Sequence, residues 1–451
     1  MDLTSIVRGM FGILLLVGIS FLLSNNKTKI NWKLVGGGLA LQIVFAVLIL
    51  KGESLRSFFE PFGWPKDFFN WISYFFVLVL NFTSAGAQFV FGDLAKSPGT
   101  EGSLGSFFAF QVLPTIIFFA SLMSLLYYVG IMQMIVKGMA WIMAKTLGTS
   151  GAESLSCSAN IFVGQTEAPL MIKPFLNKMT KSEILTIMVG GMATIAGGVM
   201  AAYIQILGTA YAIKNGIPLI EAQQIFATHL LGASVMAAPA GIVISKIIYP
   251  ETEEPVTKGI VKVEVEKNAS NVIEAAANGA ADGWKLAINV GAMLLAFIAL
   301  IALINYLLNG FGDLINVNES LIAQFGQPLS FQLIIGLVLQ FVAFGIGVPW
   351  EDALSFGSLL GVKVVLNEFV AYTEMGTLVE LGTILNEKTI LMLTYALCGF
   401  ANFSSIAIQI GGIGPLAPDR KSDIAALGLK AVIGGVLATL MTATLAGLLF
   451  G

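Results

Sequence analysis

The stretch from Asn160 to Leu170 reads NIFVGQTEAPL, and it places two amides, a hydroxyl and a carboxylate in a mostly apolar chain. About two hundred residues later the pattern returns as NEFVAYTEMG, from Asn367 to Gly376. In the first eight positions of the two stretches, Asn, Phe, Val, Thr and Glu coincide. This recurrence indicates an internal repeat, and the shared polar side chains are candidates for a common site.

The composition is that of a membrane protein. The chain has 451 residues, 56% hydrophobic and 11% charged, with a mean hydropathy of +0.86. A soluble domain carries about a quarter charged residues. Apolar stretches of about twenty residues recur from end to end, which is typical of a polytopic helical membrane protein. We therefore predict an all-α polytopic fold in the lipid bilayer.

The charged and sulfur-bearing residues exclude several function classes. The net charge is -3 and the basic residues are scattered, so no nucleic-acid partner is expected. Two cysteines and one histidine are too few for a metal cluster. Because no Ser/His/Asp set or HExxH motif occurs, the chain is not expected to be an enzyme.

Eight apolar segments are predicted to span the membrane. They cover residues 8–24, 34–50, 107–131, 183–213, 222–249, 284–309, 389–413 and 424–450. The aromatic-rich region 52–106 is predicted to be interfacial, because such residues concentrate at the membrane surface. Residues 250–283 form the longest polar linker.

Two further apolar regions, 148–177 and 330–372, are interrupted by Gly, Pro and polar residues. Each half is too short to cross a hydrocarbon core of about 30 Å. We predict that both are re-entrant hairpins, which are tolerated where protein or a water-filled cavity surrounds them.

The repeat extends beyond the hairpins. The pattern G-x-A-[T/N] follows each hairpin at nearly the same distance, at Gly191–Thr194 in the segment 183–213 and at Gly399–Asn402 in the segment 389–413. Because glycine weakens the interior of a helix, both segments are predicted to be broken spans. At such a break, backbone carbonyls become available to bind a small cation. If the eight spans alternate, the hairpins enter from opposite sides. Inverted repeats with broken helices are typical of secondary transporters.

The distribution of lysines and arginines predicts how the chain is oriented in the membrane. With both termini outside, most of the 24 basic residues fall on the inner side, as the positive-inside rule requires. We therefore predict that both termini face outward.

The motifs NIFVGQTEAPL, GGMATIAGGV, GVPWEDA, NEFVAY and CGFANFSSIAIQIGG resemble the bacterial branch of the concentrative nucleoside transporter family. The resemblance covers nearly the whole chain. It implies a sodium- or proton-coupled nucleoside symporter of the bacterial cytoplasmic membrane that assembles as a homotrimer. It also implies that scaffold helices hold the trimer while a transport part moves.

On this resemblance we assign the scaffold helices and the interfacial segment to 1–131. The first repeat of the transport part covers 132–249. The linker and a further scaffold helix cover 250–309, and the second repeat covers 310–451.

The resemblance also implies the roles of individual residues. Gln165, Thr166 and Glu167 face the nucleobase, and Val199 and Phe400 pack against it. Glu368, Asn402 and Ser405 hold the ribose hydroxyls. A sodium ion is bound by the side chains of Asn160 and Thr194 and the carbonyls of Val163 and Ile195.

Sodium is the expected coupling ion and a uridine-like nucleoside is the expected substrate. Asn160 and Thr194 do not titrate near neutral pH, and a hard cation prefers such an all-oxygen shell. Three alternatives stay open: proton coupling, a free nucleobase as the substrate, and, more distantly, a channel. A channel needs a continuous polar lining, whereas the polar residues of this chain cluster in a few segments.

Overall fold

The fold consists of helices and their connections. A computed structural model describes residues 3–96, 102–105, 107–259, 269–384 and 386–450. Within them the α-helices are Leu3–Leu22, Trp32–Leu50, Gly52–Arg56, Trp64–Phe91, Phe108–Gln111, Leu113–Val129, Ile131–Leu147, Gly151–Ala159, Lys173–Leu176, Lys181–Ala193, Gly197–Asn215, Leu219–Ile248, Val272–Leu314, Asn318–Phe325, Phe331–Gly345, Trp350–Val365, Glu368–Glu380, Glu387–Ala396, Phe403–Ile413 and Lys421–Leu449. The described 3-10 helices are Lys27–Lys29, Glu60–Gly63, Gly92–Ala95, Ala168–Ile172, Gly414–Leu416 and Pro418–Arg420.

Eight helical segments of the described chain are long and apolar enough to cross a membrane, which confirms a polytopic fold. These eight segments differ from the eight predicted spans in two regions of the chain. The region predicted to be interfacial contains one of them, Glu60–Ala95. The segment 389–413 is not one of them, because its two helices are too short.

The polar linker is shorter than predicted. The helix assigned to 284–309 begins at Val272 and continues to Leu314, so the predicted linker 250–283 includes its first turns. Asn271 caps this helix, because its side chain accepts a hydrogen bond from the Glu274 N–H. Alanines follow the cap in the first turns, and alanine has the highest helix propensity.

The first hairpin lies within its predicted bounds. One arm is the helix Gly151–Ala159, and the other consists of the short helices Ala168–Ile172 and Lys173–Leu176. Ser150 and Glu153 form a capping box at the start of the first arm. Neither arm reaches the length of a membrane span, as expected for a re-entrant segment.

The region predicted to be the second hairpin, 330–372, contains two complete helices and the start of a third. The chain bends by 120° between the helices Phe331–Gly345 and Trp350–Val365. It turns again at Leu366 and Asn367, and a third helix, Glu368–Glu380, runs beyond the predicted end.

The two turns of this region differ in their sequence signals. Gly347 and Pro349 mark the first turn, and the φ of 106° at Gly347 favours glycine. The second turn contains neither residue type. It is stabilised by Asn367, whose side chain accepts the N–H of Val370 and thereby caps the next helix.

Both predicted broken spans are broken at the G-x-A-[T/N] pattern. The first consists of Lys181–Ala193 and Gly197–Asn215, separated by residues 194–196. The second consists of Glu387–Ala396 and Phe403–Ile413, separated by residues 397–402. The structure therefore confirms that each copy of the repeat contains a broken helix.

The helix Leu113–Val129 packs closely against Val272–Leu314 through small residues. A Cβ on Gly279 would lie 2.6 Å from the carbonyl oxygen of Ala120, so only glycine permits this approach. Ser121 Oγ also donates to the Ala276 carbonyl at 2.8 Å. These contacts join the two helices into one unit.

The helix Leu219–Ile248 of the first repeat lies in the interior. The most apolar window of Leu219–Ile248 is 100% buried, whereas the corresponding window of Val272–Leu314 is 17% buried. Leu219–Ile248 is therefore part of the core of the protein, and the long helix Val272–Leu314 presents much of its apolar surface outward.

Candidate functional site

The breaks of the two broken spans meet inside the protein. A Cβ on Gly399, in the second break, would lie 2.7 Å from the Met192 carbonyl oxygen and 3.0 Å from that of Ala193, next to the first break. Gly399 has a φ of 152°, a conformation that side-chain-bearing residues rarely adopt. The internal repeat therefore places its two irregular backbone segments against each other.

The tip of the first hairpin is attached to the first break. The Phe162 carbonyl accepts a 3.0 Å hydrogen bond from the N–H of Gly197, the first residue after the break. Phe162 precedes Val163, and Gly197 lies two residues after Ile195. This contact brings the two segments that carry the four predicted sodium ligands next to each other.

Asn160, at the end of the first hairpin helix, has an unusual environment. Its side chain is fully buried, yet neither the amide oxygen nor the amide nitrogen has a hydrogen-bond partner among the described residues. Buried polar atoms are nearly always paired, so an unpaired amide indicates a site for a water or an ion. An amide oxygen is a suitable ligand for a hard cation.

Thr194 and Ile195 lie in the first break and are both buried. Thr194 Oγ1 donates its hydrogen to the Gly190 carbonyl at 2.9 Å, so the lone pairs of the hydroxyl stay available to a ligand. The backbone at Thr194 is extended, which removes the local carbonyls from the helical hydrogen-bond pattern. The residues present therefore fit a cation bound by neutral oxygens.

Gln165 joins the first hairpin to the second broken span. Its Nε2 donates to Ser405 Oγ at 3.0 Å, and its Oε1 accepts a 3.0 Å hydrogen bond from Gln409 Nε2. All three side chains are buried. Thus Gln165 and Ser405, 240 positions apart in sequence, are direct neighbours.

Glu368 is held between the two repeats. It begins the helix that follows the turn at Leu366 and Asn367, and it is only 5% exposed. One carboxylate oxygen accepts a 2.9 Å hydrogen bond from the Tyr203 hydroxyl, and the other accepts a 3.1 Å bond from Asn402 Nδ2. Asn402 also caps the helix after the second break, because its Oδ1 accepts the Ser405 N–H at 2.9 Å.

The remaining predicted residues surround these contacts to different degrees. Thr166 approaches the second repeat, since a Cβ on Gly412 would lie 2.4 Å from its methyl group. Val199 is 4% exposed, and Phe400 is half-buried against the core. Glu167 is exposed at the hairpin tip.

Sequence reasoning gave no site role to Tyr203, Gln409 or Lys363. Tyr203 stands in the apolar second half of the first broken span and has no counterpart in the repeat pattern. Lys363 is fully buried and donates to the Ala396 carbonyl at 2.8 Å and to Thr439 Oγ1 at 3.1 Å. A lysine in an apolar helix was the one available signal, because an intramembrane charge is a functional candidate by default.

Comparison with known families gives three matches that together cover most of the chain. A family described as Na+ dependent nucleoside transporter C-terminus matches residues 229–447. A second family, described as Na+ dependent nucleoside transporter N-terminus, matches residues 11–94. A Gate family described as nucleoside recognition matches residues 109–210, which include the first hairpin.

Two curated relatives cover nearly the whole chain. An uncharacterized transporter of Haemophilus influenzae is 44% identical over 99% of this chain and 98% of its own length. The human sodium/nucleoside cotransporter 1 is 39% identical over 97% of this chain, which spans 63% of that longer protein.

Solved structures give the same result. The structure of CNTnw in an inward-facing substrate-bound state is 39% identical and covers 99% of this chain and 98% of its own, with a TM-score of 0.85. A CNTnw variant in an outward-facing state is also 39% identical, covers 99% of both chains and has a TM-score of 0.86. Since both the sequence and the fold match over nearly their full lengths, this chain belongs to the concentrative nucleoside transporter family.

Proposed function

We propose that this protein imports nucleosides by sodium symport. The observation that carries the proposal is the cluster formed where the two helix breaks meet. There Gln165 contacts Ser405, and Glu368 contacts Asn402 and Tyr203. Amides, hydroxyls and one carboxylate between two inverted repeats are suited to a solute that has a heterocyclic base and neighbouring hydroxyls.

The substrate is proposed to lie with its base toward the first hairpin. Gln165, Thr166 and Glu167 offer hydrogen-bonding groups to the base, and Val199 and Phe400 supply apolar contact with its faces. Glu368, Asn402 and Ser405 bind the ribose. Because the carboxylate of Glu368 is buried and has capacity beyond its two donors, adjacent sugar hydroxyls can bind to it.

Sodium is proposed to bind beside the substrate at Asn160, Val163, Thr194 and Ile195. The unpartnered buried amide of Asn160 supports this placement. The hairpin tip carries both Val163 and Gln165, so sodium binding and base binding order the same turn. Coupling follows from this shared turn, because each ligand reduces the cost of ordering for the other.

Alternating access is proposed to occur by movement of the repeats past the scaffold helices. The contrast in burial between Leu219–Ile248 and Val272–Leu314 supports an inner moving body and an outer frame. The relative CNTnw is found in both inward-facing and outward-facing states. We further propose a homotrimer in the bacterial cytoplasmic membrane with both termini outside.

Uptake into proteoliposomes tests the proposal. We expect labelled uridine to accumulate when an inward sodium gradient is imposed without a pH gradient. Accumulation driven by a proton gradient in sodium-free buffer would instead establish proton coupling. Stronger competition by uracil than by uridine would indicate a nucleobase carrier, and absence of counterflow would indicate a channel.

A further inference from the structure

Gln409 connects the two repeats at the centre of the site. It lies on the helix Phe403–Ile413 and is fully buried. Its Nε2 donates one hydrogen bond to the Met188 carbonyl and another to Gln165 Oε1, each 3.0 Å long. Its own Oε1 has no hydrogen-bond partner among the described residues.

The Met188 carbonyl fixes the orientation of the Gln409 amide. A backbone carbonyl can only accept hydrogen bonds, so the group of Gln409 that faces it must be the NH2. The second hydrogen of that NH2 points toward Gln165 and requires an acceptor there. Only Oε1 of Gln165 can accept it, since the amide nitrogen of Gln165 is a donor.

The orientation of Gln165 follows from this constraint. Its Oε1 faces Gln409, and its Nε2 faces Ser405 Oγ at 3.0 Å. A flipped Gln165 would place two NH2 groups against each other in a buried site. Leaving such a donor unpaired disfavours the flipped form by about tenfold or more.

We propose that Gln409 is a positioning residue that sets the base specificity of the transporter. It holds the Gln165 amide so that the oxygen is occupied and the remaining N–H is the group offered to the base. The site therefore favours a base with an acceptor at this edge. The inference rests on the proposed function, in which Gln165 reads the base.

Uridine and cytidine distinguish the two orientations of Gln165. The exocyclic O4 of uracil accepts a hydrogen bond, whereas the exocyclic amino group of cytosine donates one. We place the Gln165 N–H against position 4 of the base, where a fixed donor favours uridine. An oxygen at the same place should favour cytidine.

Two substitutions of Gln409 test the orientation. In Gln409→Glu, burial favours a neutral carboxyl. Its hydroxyl can donate to the Met188 carbonyl, and its other oxygen can accept from Gln165 Nε2. Gln165 would then turn its oxygen toward the substrate. Gln409→Met has nearly the same size but neither donates nor accepts strongly, so it leaves Gln165 free to adopt both orientations.

The measurement is the ratio of the uridine and cytidine dissociation constants, obtained by calorimetry on purified protein at saturating sodium. We expect the wild type to favour uridine, Gln409→Met to lose most of this preference, and Gln409→Glu to shift the ratio toward cytidine by about tenfold. Because both constants are measured in the same preparation, partial loss of folded protein cancels. If Gln409→Glu fails to assemble, Gln409→Met alone decides.

A second glutamine pair, which is only partly buried, provides the control. Gln223 Nε2 donates to Gln205 Oε1 in another part of the fold, so Gln223→Glu should leave the ratio unchanged. A wild-type ratio in both Gln409 variants, or a wild type that favours cytidine, overturns the role of Gln409. Absence of any nucleoside binding by the wild type overturns the proposed function and this inference together.

Discussion

The hydroxyl of Tyr203 donates a 2.9 Å hydrogen bond to Glu368, and this contact joins the first broken span to the second hairpin. The other oxygen of the carboxylate is bound by Asn402, which belongs to the second break. The carboxylate is therefore held by one donor on each oxygen. A buried carboxylate held in this way has a fixed direction and can still accept further hydrogen bonds.

Glu368→Gln should weaken nucleoside binding by about 1.5–3 kcal/mol, because hydrogen bonds to a charged group are stronger than those to a neutral one. The loss should be greater for ribonucleosides than for 2′,3′-dideoxy analogues. Binding of both ligand classes can be measured by calorimetry. Tyr203→Phe serves as the comparison, since it removes one donor but leaves the carboxylate, and its effect should be smaller. Equal losses for both ligand classes would remove Glu368 from the sugar site.

The recurring motifs predicted which segments of the chain come together at the candidate site. Asn160, Gln165, Glu368 and Asn402 stand in the two copies of the repeat, and the structure brings their segments together at the meeting helix breaks. Repetition was informative because each polar side chain in an apolar segment requires a partner.

The residues that the sequence did not reveal act across the fold. Tyr203 and Gln409 are ordinary members of helical segments, and their roles depend on partners 165 and 244 positions away. The turn at Leu366 and Asn367 was missed because a capping asparagine stabilises it without glycine or proline. Only the packing of the two repeats against each other identifies such residues.

Lys363→Met should lower the free energy of unfolding by about 1–3 kcal/mol, because it leaves a buried carbonyl without its donor. Lys363 donates to the Ala396 carbonyl, and Ala396 is the last residue of a half-helix whose carbonyls face the break. A cation at a helix C-terminus also interacts favourably with the helix dipole. Thermal unfolding in detergent can measure the change.

An ion pair at the opposite end of the helix Glu387–Ala396 provides a matched control for Lys363. Lys214 pairs with Glu387, the first residue of this helix, at 3.1 Å, and both side chains are partly exposed to solvent. Because exposed ion pairs contribute little, Lys214→Met should change the stability by less than about 1 kcal/mol. An effect of Lys363→Met no larger than that of Lys214→Met would show that the buried ammonium does not stabilise the break.

A crosslink between the first broken span and the scaffold should stop transport. A Cβ on Gly198 would lie 3.6 Å from the Cβ of Phe119, so cysteines at these two positions can be bridged by a disulfide. If the repeats move past the scaffold, bridging should abolish uridine uptake while uridine binding persists. The native cysteines, Cys157 and Cys398, are replaced by alanine beforehand.

A bridge within the scaffold provides the control for this experiment. Cysteines at Ser121 and Ala276 connect two helices that already pack together. Bridging them should leave uptake intact. Full uptake after verified bridging of the Gly198 and Phe119 positions would contradict movement of the repeats past the scaffold.

Asn160→Ala should raise the sodium concentration needed for half-maximal uridine uptake by about tenfold or more, since one ligand of the ion is lost. Asn160 is fully buried with both amide atoms unpartnered among the described residues, so the substitution removes no hydrogen bond within the protein. Gln42 provides a close control, because its buried amide is likewise unpartnered among the described residues but lies on the helix Trp32–Leu50, outside the repeats.

Linkage requires that Asn160→Ala also weaken the effect of sodium on uridine binding and the effect of uridine on sodium binding by the same factor. Uptake is measured in proteoliposomes over a series of sodium concentrations, and uridine binding is measured with and without sodium. An equal shift for Asn160→Ala and Gln42→Ala, or an unchanged sodium requirement for Asn160→Ala, would remove Asn160 from the ion site.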